Sequence, residues 1–315
     1  MRRTWIGSPL TVALVAVGLH GGIGPGSAQA AGRPPGRLEA GMAYDAARRQ
    51  VVLFGGLDAF QFPLGDTWTW DGTAWTERHP AISPSARYGA HLAYDVARRE
   101  IVLFGGSSGG DETWVWSGEN WTKRTPARSP GPLIDAAMAY DAARREVVMF
   151  GDSDTGNPGD TWIWNGTTWE DRSPPGSPAL RYGPDLAYDA ARQQVVLFGS
   201  NLEVEETWVW DGATWTQRHP SSSPPGQDDP TMSYDILRRR VVLFGGCCPS
   251  DDTWTWDGTS WIRRSPSASP PGRFSHTMAY DAARRVTVLF GGTAGLFEAF
   301  DDTWGFSRGT WQQLG

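Results

Sequence analysis

The chain alternates short apolar runs with polar turn residues, and the segment 41–78 predicts four strands. In Gly41-Met42-Ala43-Tyr44 small and large side chains alternate, so Met42 and Tyr44 share one strand face and the small residues the other. A short Asp-Ala-Ala-Arg turn leads to Val51–Phe54, apolar at every position, which stops at Gly55-Gly56. A strand apolar on both faces must be covered on both, which excludes a half-solvated meander and suits a blade between neighbours. A third strand carries Trp68 and Trp70, Asp71-Gly72 marks a hairpin turn, and a fourth begins at Trp75.

This pattern recurs six times. Tyr-Asp stands at 44, 94, 140, 188, 234 and 280, with periods of 50, 46, 48, 46 and 46, and Phe-Gly follows ten residues after each tyrosine. Trp68, Trp114, Trp162, Trp208, Trp254 and Trp304 each precede another tryptophan by seven residues. The expected architecture is all-β, six blades of four antiparallel strands, in repeats at about 37–86, 87–132, 133–180, 181–226, 227–272 and 273–315. Because the first repeat opens on a first strand and the last ends on a fourth, the ring is expected to close by packing blade 6 on blade 1. A strand exchanged across the seam is the alternative.

The Gly-Gly pairs at 55–56, 105–106, 245–246 and 291–292, the aromatic on strand three and the tryptophan opening strand four resemble the kelch family of β-propellers. The resemblance covers nearly all of 37–315 and implies a six-bladed kelch-like β-propeller around a central channel. It departs from the family where Asp152 and Ser200 replace the second glycine.

Composition then decides how to read the tryptophans. Seventeen of the 18 fall in the repeats at nearly invariant positions. Burying one is worth roughly 4 to 6 kcal/mol as an upper figure, so they read as core rather than as a sugar platform. The Asp-x-x-Arg turns, Asp45 with Arg48 through Asp281 with Arg284, read as structural for the same reason.

Variation between copies is confined to one interval. From phenylalanine to the first tryptophan the counts are 14, 10, 12, 10, 10 and 14, whereas tyrosine to phenylalanine is always 10. The loop between strands two and three therefore carries the freedom, and it shares a face with the links between blades. A ligand site is placed on that face. Arg37, Arg87, Arg181 and Arg273 occupy one equivalent position at the channel mouth, with Tyr88, His91, Asp135, Tyr182, Asp185, Asp228, Asp229 and His276 nearby. Arginines there resemble those with which kelch domains grip acidic peptide segments, since a guanidinium donates two parallel hydrogen bonds to a carboxylate. Pairing with carboxylates of the inner rim is the structural alternative. Phe60 and Phe62 in the blade 1 loop, with Phe297 and Phe300 in the blade 6 loop, form either an apolar partner patch or a latch over the seam.

Other chemistry finds less support. Copper as in galactose oxidase, a kelch-like relative, would need histidines and a tyrosine-cysteine arrangement. His79 and His219 recur in matching positions, which leaves His91 and His276. Cys247 and Cys248 are adjacent and suit a vicinal disulfide or two thiols. Asp152, Asp154, Asn157 and Asp160 offer oxygen ligands of the kind calcium accepts, but not in EF-hand order, so a solvated acidic loop is expected. No metal and no cofactor is expected.

Residues 1–30 read as a signal peptide: Arg2 and Arg3, the apolar run 9–19, and small residues ending at Ala30, after which cleavage is expected. Residues 31–36 are a short linker. The run is too short for a membrane anchor, so a secreted or periplasmic monomer without membrane insertion is expected. The formal charge is −7, and losing Arg2 and Arg3 with the leader makes it −9, which argues against a nucleic-acid partner. The reading is a non-catalytic scaffold for a protein or glycan partner. The alternative is a carbohydrate-active enzyme, of epimerase or oxidase type, at the channel mouth.

Overall fold

The computed structural model describes residues 32–153, 157–179, 182–201, 204–225, 229–246, 249–295 and 298–314. They form six four-stranded antiparallel sheets, each from one continuous stretch of chain with strands in sequential order. Blade 1 comprises Gly41–Asp45, Gln50–Leu57, Pro63–Trp70 and Trp75–Arg78. Blade 2 comprises His91–Asp95, Glu100–Phe104, Thr113–Trp116 and Trp121–Arg124. Blade 3 comprises Leu133–Asp141, Glu146–Ser153, Asn157–Trp164 and Trp169–Asp171. Blade 4 comprises Tyr182–Asp189, Gln194–Asn201, Val204–Trp210 and Trp215–Arg218. Blade 5 comprises Thr231–Asp235, Arg240–Phe244, Thr253–Trp256 and Trp261–Arg264. Blade 6 comprises Thr277–Asp281, Val286–Phe290, Thr303–Ser307 and Thr310–Gln313. Together they make the expected six-bladed β-propeller. The leader expected at 1–30 lies outside the described residues.

What joins one blade to the next is the tryptophan that opens strand four. Trp121 Nε1 donates to Thr67 Oγ1 of the preceding blade at 3.0 Å, and its ring meets Phe54 edge-on with centroids 5.2 Å apart. Trp169 repeats this on Thr113 and Phe104, Trp215 on Thr161 and Phe150, Trp261 on Thr207 and Phe198, and Trp311 on Thr253 and Phe244. At the seam Trp75 of blade 1 donates to Thr303 of blade 6 at 2.8 Å and meets Phe290 in the same way. The ring thus closes by packing, with no strand exchanged. This is why strand two is apolar throughout: Val52 and Phe54 pack against blade 2, whereas Val51 and Leu53 pack against the tryptophans of their own blade.

A second tie runs along the face opposite the channel mouth. The tyrosine ending strand one accepts from a turn N–H of the preceding blade, as Ala47 N–H to Tyr94 Oη at 3.0 Å, and at the seam Ala283 N–H to Tyr44 Oη at 3.1 Å. Within each turn the aspartate caps the backbone and pairs with its arginine, as Asp45 with Arg48 at 2.8 Å.

The copies that lack the second glycine also pair differently. In blades 3 and 4 strands one and two run on beyond the Phe-Gly pair, with Asp152 opposite Ile134 and Ser200 opposite Tyr182. There strand one extends together with strand two, whereas in blade 1, which keeps its diglycine, strand two alone runs on, to Leu57.

If the seam is an ordinary junction, Trp75→Phe and Trp121→Phe should destabilise equally, by about 2 kcal/mol each, because a buried threonine hydroxyl loses its donor and the smaller ring leaves space. Urea unfolding measures this. A seam variant within about 0.5 kcal/mol of the parent would contradict closure by packing.

Candidate functional site

Arg37, Arg87 and Arg273, expected to face a ligand, are turned into the protein: they are 1%, 0% and 0% exposed. Arg37 Nη1 donates to the Gly55 carbonyl at 2.9 Å, and the guanidinium makes a two-pronged pair with Asp66 at 2.7 and 2.8 Å. Arg273 does the same with Gly291 and Asp302, and Arg87 bonds Gly105 and Glu112. Their own carbonyls accept from the second glycine of the preceding blade, as Gly56 N–H to Arg87 at 2.9 Å. A Cβ on Gly55, Gly245 or Gly291, each at positive φ, would lie 2.4–2.5 Å from that arginine oxygen. Diglycine and arginine are therefore two halves of one blade junction.

The paired carboxylates also accept the indole N–H groups of Trp68, Trp114 and Trp304. Burial alone would raise these carboxyls, but the arginine and indole donors outweigh it. Asp66 and Asp302 are held below the usual range and Glu112, which Lys123 also reaches, at about 2. Guanidinium groups so engaged have no face left for a ligand, so the expected grip on acidic peptides gives way to a structural role. Arg181 and Asp228 lie outside the described residues.

The first strands instead enclose a channel cavity of about 820 Å³ that opens toward the strand two–three loops. Its wall is built in two tiers with different rules. Two residues before each tyrosine stand Met42, Leu92, Met138, Leu186, Met232 and Met278, all buried, a repeating apolar ring. One step nearer the mouth the equivalent residues are Gly41, His91, Ala137, Asp185, Thr231 and Thr277, five residue types in six blades. Nearer still the chain turns through positive φ at Glu39 (52°), Asp229 (56°) and Ser275 (52°), where a side chain costs backbone strain. Backbone bonds tie this rim together, with Glu39 N–H on Ser275 and Gly89 N–H on Glu39, both 2.9 Å.

The expected residues Tyr88, His91, Asp185, Asp229 and His276 thus line the cavity. Asp135 sits in strand one of blade 3 and Tyr182 in that of blade 4, but their side chains lie outside the described set. Thr231, Thr277, Ser107 and the methionine ring are lining residues that the sequence reading missed. Their signal was available, as a Met or Leu two positions before each tyrosine and a residue before it that varies. Among the described lining residues none is lysine or arginine.

Polar groups in the wall are tuned by burial. It holds the His91 imidazole down at about 4, and with the Arg273 charge it holds His276 at about 3, so both are neutral at physiological pH. His276 Nε2 lies 2.6 Å from Thr231 Oγ1, a link between blades 6 and 5. Burial pushes Asp185 up to about 7 against the N–H groups of Leu186 and Met232, which bond its two oxygens and tie blade 4 to blade 5.

The aromatic loops separate. Phe300 covers Arg273, with the guanidinium 4.1 Å from the ring centroid, while its carbonyl accepts from Arg37 N–H and neighbouring Asp301 pairs with Arg33. The blade 6 loop is in this way a latch onto the first residues of blade 1. Phe60 and Phe62 are 77% and 67% exposed, held outward by N–H bonds from both residues to Asp58. Phe297, Cys247, Cys248 and Asp154 lie outside the described residues, as do the side chains of Asp152 and Asn157. Asp160 is buried. No group of three metal-ligating side chains occurs among the described residues.

Several solved propellers are similar to this chain. The SapL1 lectin in complex with alpha methyl fucoside aligns at TM-score 0.61 and 12% identity, over 89% of this chain and 95% of that one. AofleA from Arthrobotrys oligospora aligns at 0.59 and 11%, over 88% and 85%. The Aleuria aurantia lectin in complex with Fucalpha1-6GlcNAc aligns at 0.57 and 13%, over 89% and 96%. At such identities the likeness is one of fold. No family model and no curated protein matches the sequence.

Asp185 gives the cavity a pH signature. Its folded pKa of about 7 lies above its ordinary 3.8, so its contribution to stability is full below the lower value and is lost as pH rises through the higher. His91 and His276, lowered from 6.5, act in the opposite sense. Asp185→Asn removes only the first effect, so the parent's stability margin over this variant should widen as pH falls from about 7 to about 4. Chemical denaturation across that range checks it, and a constant margin would contradict the assignment.

Proposed function

We propose that the chain is an exported, non-catalytic glycan-binding propeller of kelch-like type that holds a neutral saccharide in the channel mouth. The supporting observation is the lining itself: neutral imidazoles, threonine hydroxyls and carboxylates, with no described cation, above an apolar ring. Sugar hydroxyls both donate and accept, which suits His91, Thr277, Glu39 and Asp229, while methionine and leucine side chains suit the apolar C–H face of a pyranose. A sialylated or otherwise acidic glycan would bring its own negative charge to a lining whose described residues include Glu39 and Asp229 but no lysine or arginine. The neighbouring propeller lectins, two of them solved with fucosyl ligands, make neutral fucosides the natural first probes.

A glycan array followed by calorimetric titration tests this reading. His91→Ala and Thr277→Val should each weaken the saccharide by about tenfold, the scale of one lost buried hydrogen bond, while thermal stability is retained. Full affinity in both variants would place the site elsewhere.

Asp185 carries the second reading, proton transfer on a bound sugar, because a carboxyl near 7 can give and take a proton at neutral pH. Turnover of a saccharide that is lost in Asp185→Asn would favour it.

A further inference from the structure

Three departures from the repeat coincide at the junction of blades 5 and 6, on the face opposite the channel mouth. The first is in strand three, where Trp70, Trp116, Trp164, Trp210 and Trp256 are replaced in blade 6 by the smaller Phe306. The second is in the hairpin turn that follows. At five junctions the turn arginine of one blade lies over a glycine of the next blade's hairpin, so close that a Cβ on Gly72, Gly118, Gly166, Gly212 or Gly258 would come within 1.7–1.9 Å of its Nε. At the sixth, Arg308 stands where that glycine would be. The turn is tightened to Arg308-Gly309, both at positive φ (54° and 85°), with Ser307 pairing Thr310.

The third departure is in charge. The strand-four arginine reaches across its sheet to the first residue of strand two, and in blades 2 and 3 it finds a carboxylate there: Arg124 with Glu100, and Arg172 with Glu146, at 3.1 Å. The equivalent residue is Gln50 in blade 1, Gln194 in blade 4 and Arg240 in blade 5. Arg264 is thereby placed against another cation. Its Nε donates to Thr255 Oγ1 at 2.8 Å, but its Nη2 is buried without a partner. Burial and the Arg240 charge both lower its pKa, opposed by Asp257, whose carboxylate caps its own turn at Thr259 and Ser260.

Around these residues the structure leaves a cavity of about 250 Å³, lined by Arg240, Arg264 and Arg308 over Val242 and Phe306. Asp235 and Arg238 also line it, and the two are paired with each other at 2.7 Å, so that the carboxylate's charge is met by Arg238 and the other three guanidinium groups face the cavity in excess. None of Arg240, Arg264 and Arg308 forms an ion pair among the described residues.

We propose that this cavity binds a tetrahedral oxyanion, sulfate or phosphate. Three guanidinium groups reach it from strands two and four of blade 5 and from the hairpin of blade 6. Oxygens pointing in several directions answer that arrangement, whereas one guanidinium alone saturates a planar carboxylate. The anion supplies the charge that a glutamate supplies in blades 2 and 3. Bridging two blades, it also stabilises the ring by binding only the folded state. The site is independent of the channel mouth.

Thermal unfolding and calorimetry with sodium sulfate and with inorganic phosphate, at ionic strength held constant by sodium chloride, test the proposal. A saturable rise of roughly 3 °C is expected at tenfold excess over the dissociation constant. Arg240→Glu, which recreates the Arg124–Glu100 pairing, should fold at least as well as the parent without anion. It and Arg308→Ala should each lose about tenfold or more in anion affinity. Neither should alter saccharide capture at the mouth. A sulfated monosaccharide that binds more tightly than free sulfate would identify an esterified sugar as the source, and equal binding would identify the free anion; either supports the site. An unsaturable response, or one unchanged in Arg240→Glu, would overturn it.

Discussion

The propeller depends on one contact made six times, an indole from strand four inserted against the phenylalanine and threonine of the preceding blade. No strand crosses a junction, so no backbone ladder holds the ring together. Cohesion comes chiefly from buried aromatic area, fixed in register by the N–H to Oγ1 bond, with single bonds between blades such as Gly56 N–H to the Arg87 carbonyl beside it. Because Trp75 and Thr303 make this contact at the seam, the two ends of the repeat array are held by the same physics as its middle.

A frame of this kind explains why so much of the fold was legible in the chain. The tryptophans, the apolar second strand and the Asp-x-x-Arg turns recur because every junction needs all of them. The arginines at 37, 87 and 273 recur as well, and the same logic should have classed them as frame: a residue repeated at equivalent positions is doing something each blade requires. Sequence leaves both outlets of a guanidinium open, a ligand or a carboxylate of the rim, because it does not reveal that Asp66, Glu112 and Asp302 lie within reach. Phe300 was ambiguous for a similar reason, since only the fold brings it over Arg273.

What does not repeat is where function is to be sought. His91, Asp185, Thr231 and Thr277 share one tier of the channel that carries five residue types in six blades, and they stand on a ring made of methionine and leucine alone. Arg240, Phe306 and Arg308 depart together at a single junction. A rigid, closed ring tolerates such departures because each is local: neighbouring junctions retain their indole contacts, and the strain at Glu39 and Ser275 is borne by a rim tied from blade to blade.

The most direct test of the channel mouth as the binding site uses the methionines as reporters. Met42, Met138, Met232 and Met278 are the methionines of the apolar ring, whereas Met149 is buried within blade 3. Methyl-labelled NMR during titration with a neutral saccharide should move the four ring signals and leave that of Met149 in place. Saturable binding with all four ring methyls unmoved would contradict the assignment of the mouth.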